Sequence, residues 1–456
     1  MKLDLTITAP ATLDADDVLR ATVEFSNPRA SSRQESATIV LKCGDILAYC
    51  RHASPAAFDL LFLASCVYGI DRLVERRPHS VDGWSRELSM SLPVLDTAAW
   101  QGREDVVAQL LSFLTGDYWQ VEFTASPLVL PVPAPGDLPP AGIDQINLFS
   151  GGLDSLIGAI DFLKNKPAQK LLLVSHYDPN MHGPKSDQFK LAQALTAQFS
   201  QQFEWSNSIG VFLEDATPDS QENTLRSRSL LFISLAILLG DAIGGGVPIW
   251  VPENGSVSLN YPLSASRRSS CSTRTTHPRV IQDICQLADQ LGLSTAISNP
   301  YEFQTKGEMV AGCADLPFLL SIVGESNSCG KRGHPRGWVR LGSSHCGVCM
   351  PCVYRRAALL GHPDPTTYGN NLEELKYDAG FQRLTTKRGQ DLDACLSFLA
   401  STLTPRQIRT ELLINGINDT AKLPGYTTLV GKTRQELAAW VSTCREPNLR
   451  HKAGLP

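Results

Sequence analysis

The stretch Ile146-Asn-Leu-Phe-Ser-Gly-Gly-Leu-Asp-Ser155 constrains this chain more than any other. A short apolar strand over Ile146–Phe149 runs straight into Ser150-Gly151-Gly152-Leu153-Asp154-Ser155, and a helical apolar pattern follows at once over Leu156–Leu163. Paired glycines let the backbone turn tightly and approach a ligand closely. Free N–H groups at the helix start face that ligand, and the helix dipole favours an anion there. Ser150 and Ser155 add hydroxyl donors. Asp154 is a poor direct phosphate ligand but a good Mg²⁺ ligand, and it is expected to face metal and solvent. The loop lacks Gly-Lys-Ser/Thr, so it is not a Walker A sequence.

The surroundings suit such a loop. Lys170–Ser175 and Pro248–Val251 are expected as further buried parallel strands, with Ser186–Phe199 and Leu230–Ile243 as intervening helices. That alternation predicts an α/β fold with a doubly wound parallel sheet over residues 143–362. Prolines 127, 131, 133, 135, 139 and 140 make 127–142 an extended linker. Residues 1–126 read as a separate N-terminal α+β domain. Its expected strands are Lys2–Thr8, Ala21–Phe25, Ala37–Lys42 and Tyr118–Thr124; helices are expected over Phe58–Val74, behind a Ser54-Pro55 start, and over Glu104–Leu114. Residues 363–456 form a C-terminal helical region, with helices expected at Asp391–Leu403, Thr404–Asn415 and Thr433–Cys444.

Charge narrows the partners. The 456 residues carry 41 Lys plus Arg against 46 Asp plus Glu, a net charge of −5, which argues against a broad grip on nucleic acid. The uncharged stretch from Ser229 to Gly240 is too short for the ~20 residues of a membrane span. With no export signal, twelve cysteines point to a reducing, cytoplasmic setting.

Cys346-Gly-Val-Cys349-Met-Pro-Cys352 packs three thiols into seven residues, and Cys329 can supply a fourth. Four thiolates make a closed structural Zn²⁺ site. His345 and His334 are reserve ligands should Cys329 point elsewhere. An iron–sulfur run would continue with another cysteine where this chain has Arg356. Cys43, Cys50 and Cys66 read as small buried hydrophobes, and Cys271, Cys285, Cys313, Cys395 and Cys444 stand alone as dispensable thiols.

Ser-Gly-Gly-Leu-Asp-Ser resembles the pyrophosphate loop of PP-loop ATP pyrophosphatases. Its combination with Cys-Gly-Val-Cys-Met-Pro-Cys-Val-Tyr-Arg-Arg resembles the QueC-like, 7-cyano-7-deazaguanine synthase family. Arg226-Ser-Arg228-Ser-Leu-Leu-Phe and Asn299-Pro-Tyr-Glu-Phe-Gln-Thr-Lys306-Gly-Glu308 are similar to two further family segments. Pro252-Glu253-Asn254-Gly-Ser and Thr273-Arg-Thr-Thr-His277-Pro depart from it, and resemble instead the QueC-like proteins of Qat anti-phage defence systems.

The resemblance implies ATP, Mg²⁺ and Zn²⁺ as cofactors. It implies binding of ATP by Ser150, Gly151, Gly152, Leu153, Asp154 and Ser155, and catalysis by Asp154, Lys306 and Arg228. Glu253, Asn254, His277 and Glu308 would serve the substrate, with Glu308 holding Mg²⁺ or pairing with Lys306. The implied reaction adenylates a 7-carboxy-7-deazaguanine-type carboxylate and joins it to an amine. That amine belongs to a partner protein of the same operon, presented by an N-terminal domain swinging on its linker; alternatively it is ammonia, as in an ordinary nitrile synthase. A homodimer is compatible with either. A third reading is a silent nucleotide or RNA sensor, using Lys331, Arg332, Arg336 and Arg340 with Trp338.

Overall fold

The computed structural model describes all residues except 1, 27–33, 182, 218–221, 223, 265–266, 268–273, 333–342, 371, 373–376, 379–382 and 385–388. Its centre is one ten-stranded sheet. In chain order the strands are β1 (Leu3–Thr8), β2 (Val18–Ser26), β3 (Gln34–Lys42), β4 (Glu87–Val94), β5 (Tyr118–Ala125), β6 (Gln145–Leu148), β7 (Leu171–Tyr177), β8 (Phe203–Glu214), β9 (Pro248–Trp250) and β10 (Ala296–Ser298). Their spatial order is β10-β9-β6-β7-β8-β3-β2-β1-β4-β5.

The half from β10 to β8 is all parallel. Both faces are covered at β7, where Leu171–Val174 is a continuous buried apolar run. Ile146, Leu148, Leu172, Val174 and Ile249 point into one core with the Arg228–Ala242 helix, whose sides are buried almost all round. Leu171 and Leu173 point into another with the Leu153–Asn165 and Pro184–Phe199 helices. The chain steps outward from β6 through β7 to β8, then returns past β6 to β9 and β10. The order of strands therefore reverses between β6 and β9. Ligands of open α/β sheets bind outside the strand C-termini at such a switch point.

The expected division into separate domains does not describe the sheet. β8, unforeseen in the sequence, pairs antiparallel with β3, with Ile39 opposite Leu213 and Leu41 opposite Val211. The Pro55–Leu73 helix packs on the Arg228–Ala242 helix, and one core spans both halves. The buried Arg72–Asp178 ion pair, the Arg226 and Ser227 N–H groups donating to Asp71, and the Arg226 guanidinium donating to the Thr115 carbonyl at 2.8 Å reinforce this join. Residues 127–142 carry no helix or strand, yet Leu128 is buried in the shared core and Val129 N–H donates to the Ala11 carbonyl at 2.8 Å. The N-terminal half is therefore fixed in place, and the expected swing on the linker is corrected.

The C-terminal helices Gln390–Ala400, Pro405–Ile414 and Leu423–Ser442 build a separate core with the cysteine-rich loop. No helix among the described residues is long and apolar enough to cross a membrane.

Candidate active site

The Ser150–Ser155 loop leaves the C-terminal end of β6 and enters the Leu153–Asn165 helix through Gly152. Gly151 sits at φ +85°, and a Cβ there would meet the Gln188 main chain at 3.3 Å. Only glycine takes that conformation beside that neighbour without strain. The Ser150 hydroxyl lies 3.4 Å from both the Ser155 hydroxyl and the Gly152 N–H.

Asp154 is 5% exposed and faces neighbouring segments rather than solvent, correcting the sequence expectation. Its carboxylate pairs with the Lys306 ammonium, itself 4% exposed. The Asn254 amide donates to the other oxygen at 2.7 Å, and the Asn254 main-chain N–H does so at 3.2 Å. Burial alone would raise the Asp154 carboxyl, but the Lys306 charge, a hydrogen bond from Glu253 and that from Asn254 together hold it well below the carboxylate range. Burial and the adjacent Asp154 charge drive Glu253 the opposite way, well above its usual value. The two shifts run in opposite directions, so a proton at this pair of carboxyls favours Glu253.

Three segments meet here, each from a different strand end: the loop after β6, Glu253-Asn254 after β9, and the start of the Lys306–Ala311 helix after β10. Gly255 is required at this meeting, since a Cβ there would lie 2.1 Å from the Glu302 carbonyl oxygen. Asn299 fixes Glu253 by donating its amide to the Glu253 carbonyl at 2.7 Å.

Arg228 heads its helix beside Tyr68, Asp178 and the C-terminal end of β7. Its guanidinium makes no hydrogen bond or ion pair among the described residues and lies 5.2 Å from the centre of the Phe232 ring. Burial pushes its guanidinium downward while Tyr68 and Asp178 oppose the shift. A half-buried cation at a helix N-terminus without a partner is costly unless an anion arrives.

Two expected substrate residues lie elsewhere. Glu308 closes a capping box with Thr305 and pairs with Lys432 at 2.6 Å, so it serves the helix start and neither bonds to Lys306 nor joins the Asp154 pair. His277 is the buried N-cap of the Pro278–Gln290 helix, and its ring packs edge-on to Phe113 at 5.2 Å. Burial lowers it to about 3, so it is neutral and structural. Arg226 is equally structural, bonded to Asp71 and the Thr115 carbonyl.

The four cysteines converge as expected. The Sγ atoms of Cys329, Cys346, Cys349 and Cys352 all lie within 4.8 Å of one another, with Cys329–Cys349 and Cys346–Cys352 both at 3.9 Å. A tetrahedral Zn²⁺ with bonds of ~2.3 Å needs sulfur separations of about 3.8 Å, so the set fits zinc. Main-chain N–H groups of Lys331 and Cys346 point at the Cys329 sulfur, and that of Cys349 at the Cys346 sulfur, as thiolates require. His345 is not needed: its Nε2 accepts from Ser328 N–H at 3.2 Å and its Nδ1 lies 2.8 Å from the Ser344 hydroxyl. His334, Arg336, Trp338, Arg340 and Cys271 lie outside the described residues.

Residues outside the expected catalytic set hold these parts together. Asn327 N–H donates to the Gly151 carbonyl at 2.8 Å, and the Ser328 hydroxyl accepts from Leu153 N–H at 3.4 Å. Arg332 grips Asp187 through two bonds of 2.8 and 2.7 Å. From the C-terminal region, Glu436 accepts from Gly307 N–H, and the Thr433 hydroxyl meets that of Ser256 at 2.6 Å.

No protein-family model matches this chain, and no curated protein matches it.

Proposed function

We propose that this chain is an ATP-dependent carboxylate–amine ligase of the QueC-like PP-loop type, acting on a 7-carboxy-7-deazaguanine-type acid. The observation that carries the reading is the convergence of Asp154, Glu253, Asn254 and Lys306 beside a glycine loop at a sheet switch point. The unpaired Arg228 adds a cation that awaits an anion.

The substrate carboxylate attacks the α-phosphorus of ATP; the bond to the bridging oxygen breaks, and pyrophosphate leaves. An amine then attacks the acyl carbon and AMP departs, the amine losing one proton to solvent or base. Gly152, Leu153 and the helix start orient the phosphates through main-chain N–H groups. Lys306 and Arg228 balance charge that grows on the leaving pyrophosphate. Asp154 and Glu253 would hold Mg²⁺, which supplies further charge neutralisation between the phosphates. Glu253 then gives up its proton.

A protein amine is the favoured acceptor in this proposal, and a neighbouring gene product its source. With the N-terminal half fixed by β3–β8 pairing, that partner must reach the site itself. The test supplies ATP, Mg²⁺, 7-carboxy-7-deazaguanine and an amine, either ammonia or the neighbouring gene product, and measures pyrophosphate and AMP. Both should form, and absence of both refutes the ligase. Intact mass spectrometry of the neighbouring gene product then separates protein from ammonia as acceptor.

A further inference from the structure

A cavity of about 940 Å³ lies on the side of the phosphate loop that faces the zinc loop and the C-terminal helices. Two of its walls continue directly from the site described above. Ser256 and Val257 follow Asn254, the partner of Asp154; Gly330 and Lys331 follow Cys329, next to Ser328. Trp84 enters from the N-terminal half, Tyr261 and Arg267 from the segment after β9, and Gln390 and Asp391 from the first C-terminal helix. Its volume is at the upper end of small-molecule sites.

The lining has a specific chemistry. Arg226 stacks on the Trp84 ring at 4.2 Å, giving one rigid flat wall. Arg267 and Asp391 neutralise each other. Two polar groups stay unused among the described residues. The Lys331 ammonium has no acceptor. Tyr354 is 7% exposed, lines the cavity, and its hydroxyl has no hydrogen-bond partner. A buried tyrosine normally finds a partner for its hydroxyl. The cation and the hydroxyl donor are thus free for an acceptor group, set among aromatic and aliphatic walls formed by Trp84, Leu263 and Met350.

We infer that this cavity binds a planar aromatic carboxylate, with Lys331 holding the anion, Tyr354 bonding a polar edge of the ring, and the Trp84 wall excluding non-planar acids. The inference rests on the ligase reading for the identity of the acid, and adds the place where it sits and what selects it. A bicyclic heterocycle fills only part of the volume. The rest leads past the exposed Gln390, leaving a path for the second reactant.

The test is equilibrium binding of 7-carboxy-7-deazaguanine to the full-length protein without ATP, alongside its neutral carboxamide. The carboxylate should bind, and the carboxamide at least tenfold more weakly. Lys331→Met and Tyr354→Phe should each weaken carboxylate binding on the order of tenfold, the loss of one charge-assisted or buried hydrogen bond. Both should retain zinc and full affinity for ATP. Equal binding of acid and amide, or unchanged binding in both variants, overturns the inference even where pyrophosphate release is intact. No carboxylate binding by the parent protein overturns it too. Failure of the ligase reading looks different: ATP is then neither bound nor cleaved, whatever the cavity holds.

Discussion

The Asn327 main-chain N–H donates to the Gly151 carbonyl across 2.8 Å, so the cysteine loop and the glycine loop are hydrogen-bonded to each other. The contact is reinforced on both sides. Cys329 N–H donates to the Asn327 side chain at 3.0 Å, and His345 holds Ser328, whose hydroxyl accepts from Leu153 N–H. The cysteine cluster is thereby coupled to the shape of the glycine loop. The purified protein should carry about one Zn²⁺ per chain. Stripping it with a chelator should speed hydrogen exchange in residues 150–155 before the sheet opens. Exchange confined to the cysteine loop, or metal-free protein, contradicts this coupling. Cys349→Ser should collapse the soluble yield, because metal binding supplies folding free energy to this loop.

Asp154 and Lys306 form a buried pair, and that changes what their variants do. Asp154→Ala leaves the Lys306 ammonium buried without its carboxylate, which costs about 3–5 kcal/mol. Activity should vanish and stability should fall together. The double variant Asp154→Ala/Lys306→Met should regain a large part of the stability and none of the activity. Denaturant midpoints of the three proteins measure this. An unchanged midpoint for Asp154→Ala would show that the pair is not buried in solution.

Gly151 gives a sharper probe of the loop alone. Gly151→Ala places a Cβ at φ +85° and 3.3 Å from the Gln188 main chain. A left-handed non-glycine residue costs about 1–2 kcal/mol, so the protein should still fold. Affinity for ATP should drop at least tenfold by calorimetry, since the loop must move to make room. Parent affinity would mean that the loop does not touch the nucleotide.

Acid sensitivity follows from three buried histidines. Burial lowers His176, His277 and His345 from 6.5 to about 3. The unfolded chain binds their protons first as pH falls, so their contribution is complete above about 6.5 and declines below it. Each loses about 1 kcal/mol between pH 6.5 and 5.5. Asp59, raised by burial to about 6, acts in the opposite sense around and below that value and offsets part of the loss. Stability should therefore fall by about 2 kcal/mol between pH 6.5 and 5.5. His277→Asn keeps a capping acceptor. It should remove roughly a third to a half of the slope; an identical slope means that His277 does not contribute.

Local signals in the sequence were legible where one segment carried the whole message. The strand–glycine turn–helix at 146–165, the convergence of four cysteines and the helix starts at Ser54 and Thr404 all depend on short-range chemistry, and each took its expected form. Glu308 and His277 misled because a capping residue and a catalytic residue have the same letters. Only the tertiary neighbours, Lys432 for one and Phe113 for the other, distinguish them. β8 escaped notice because Phe203–Glu214 interleaves Glu204, Ser206, Ser208 and Gly210 with its apolar positions. Its apolar residues face cores supplied by strands far away in the chain. The join between the two halves of the sheet was hidden with it.

That join carries the last prediction. The N-terminal half covers the β8 edge through β3 and the Arg228–Ala242 helix through Pro55–Leu73. A fragment of residues 143–456 would expose an unpaired strand edge beside a helix buried almost all round, a combination that aggregates. It should be insoluble when expressed alone. A second measurement avoids relying on a fragment that fails to fold. Val132 and Leu138 are strongly exposed in the extended connector, so limited proteolysis should cut within 127–142 first. After that nick the two pieces should migrate together on gel filtration, because a continuous sheet, a shared core, the Arg72–Asp178 ion pair and the bonds of Arg226 to Asp71 and Thr115 still hold them. Separation of the pieces under native conditions, or a soluble and well-folded 143–456 fragment, would restore an independent N-terminal domain and with it a mobile arm over the active site.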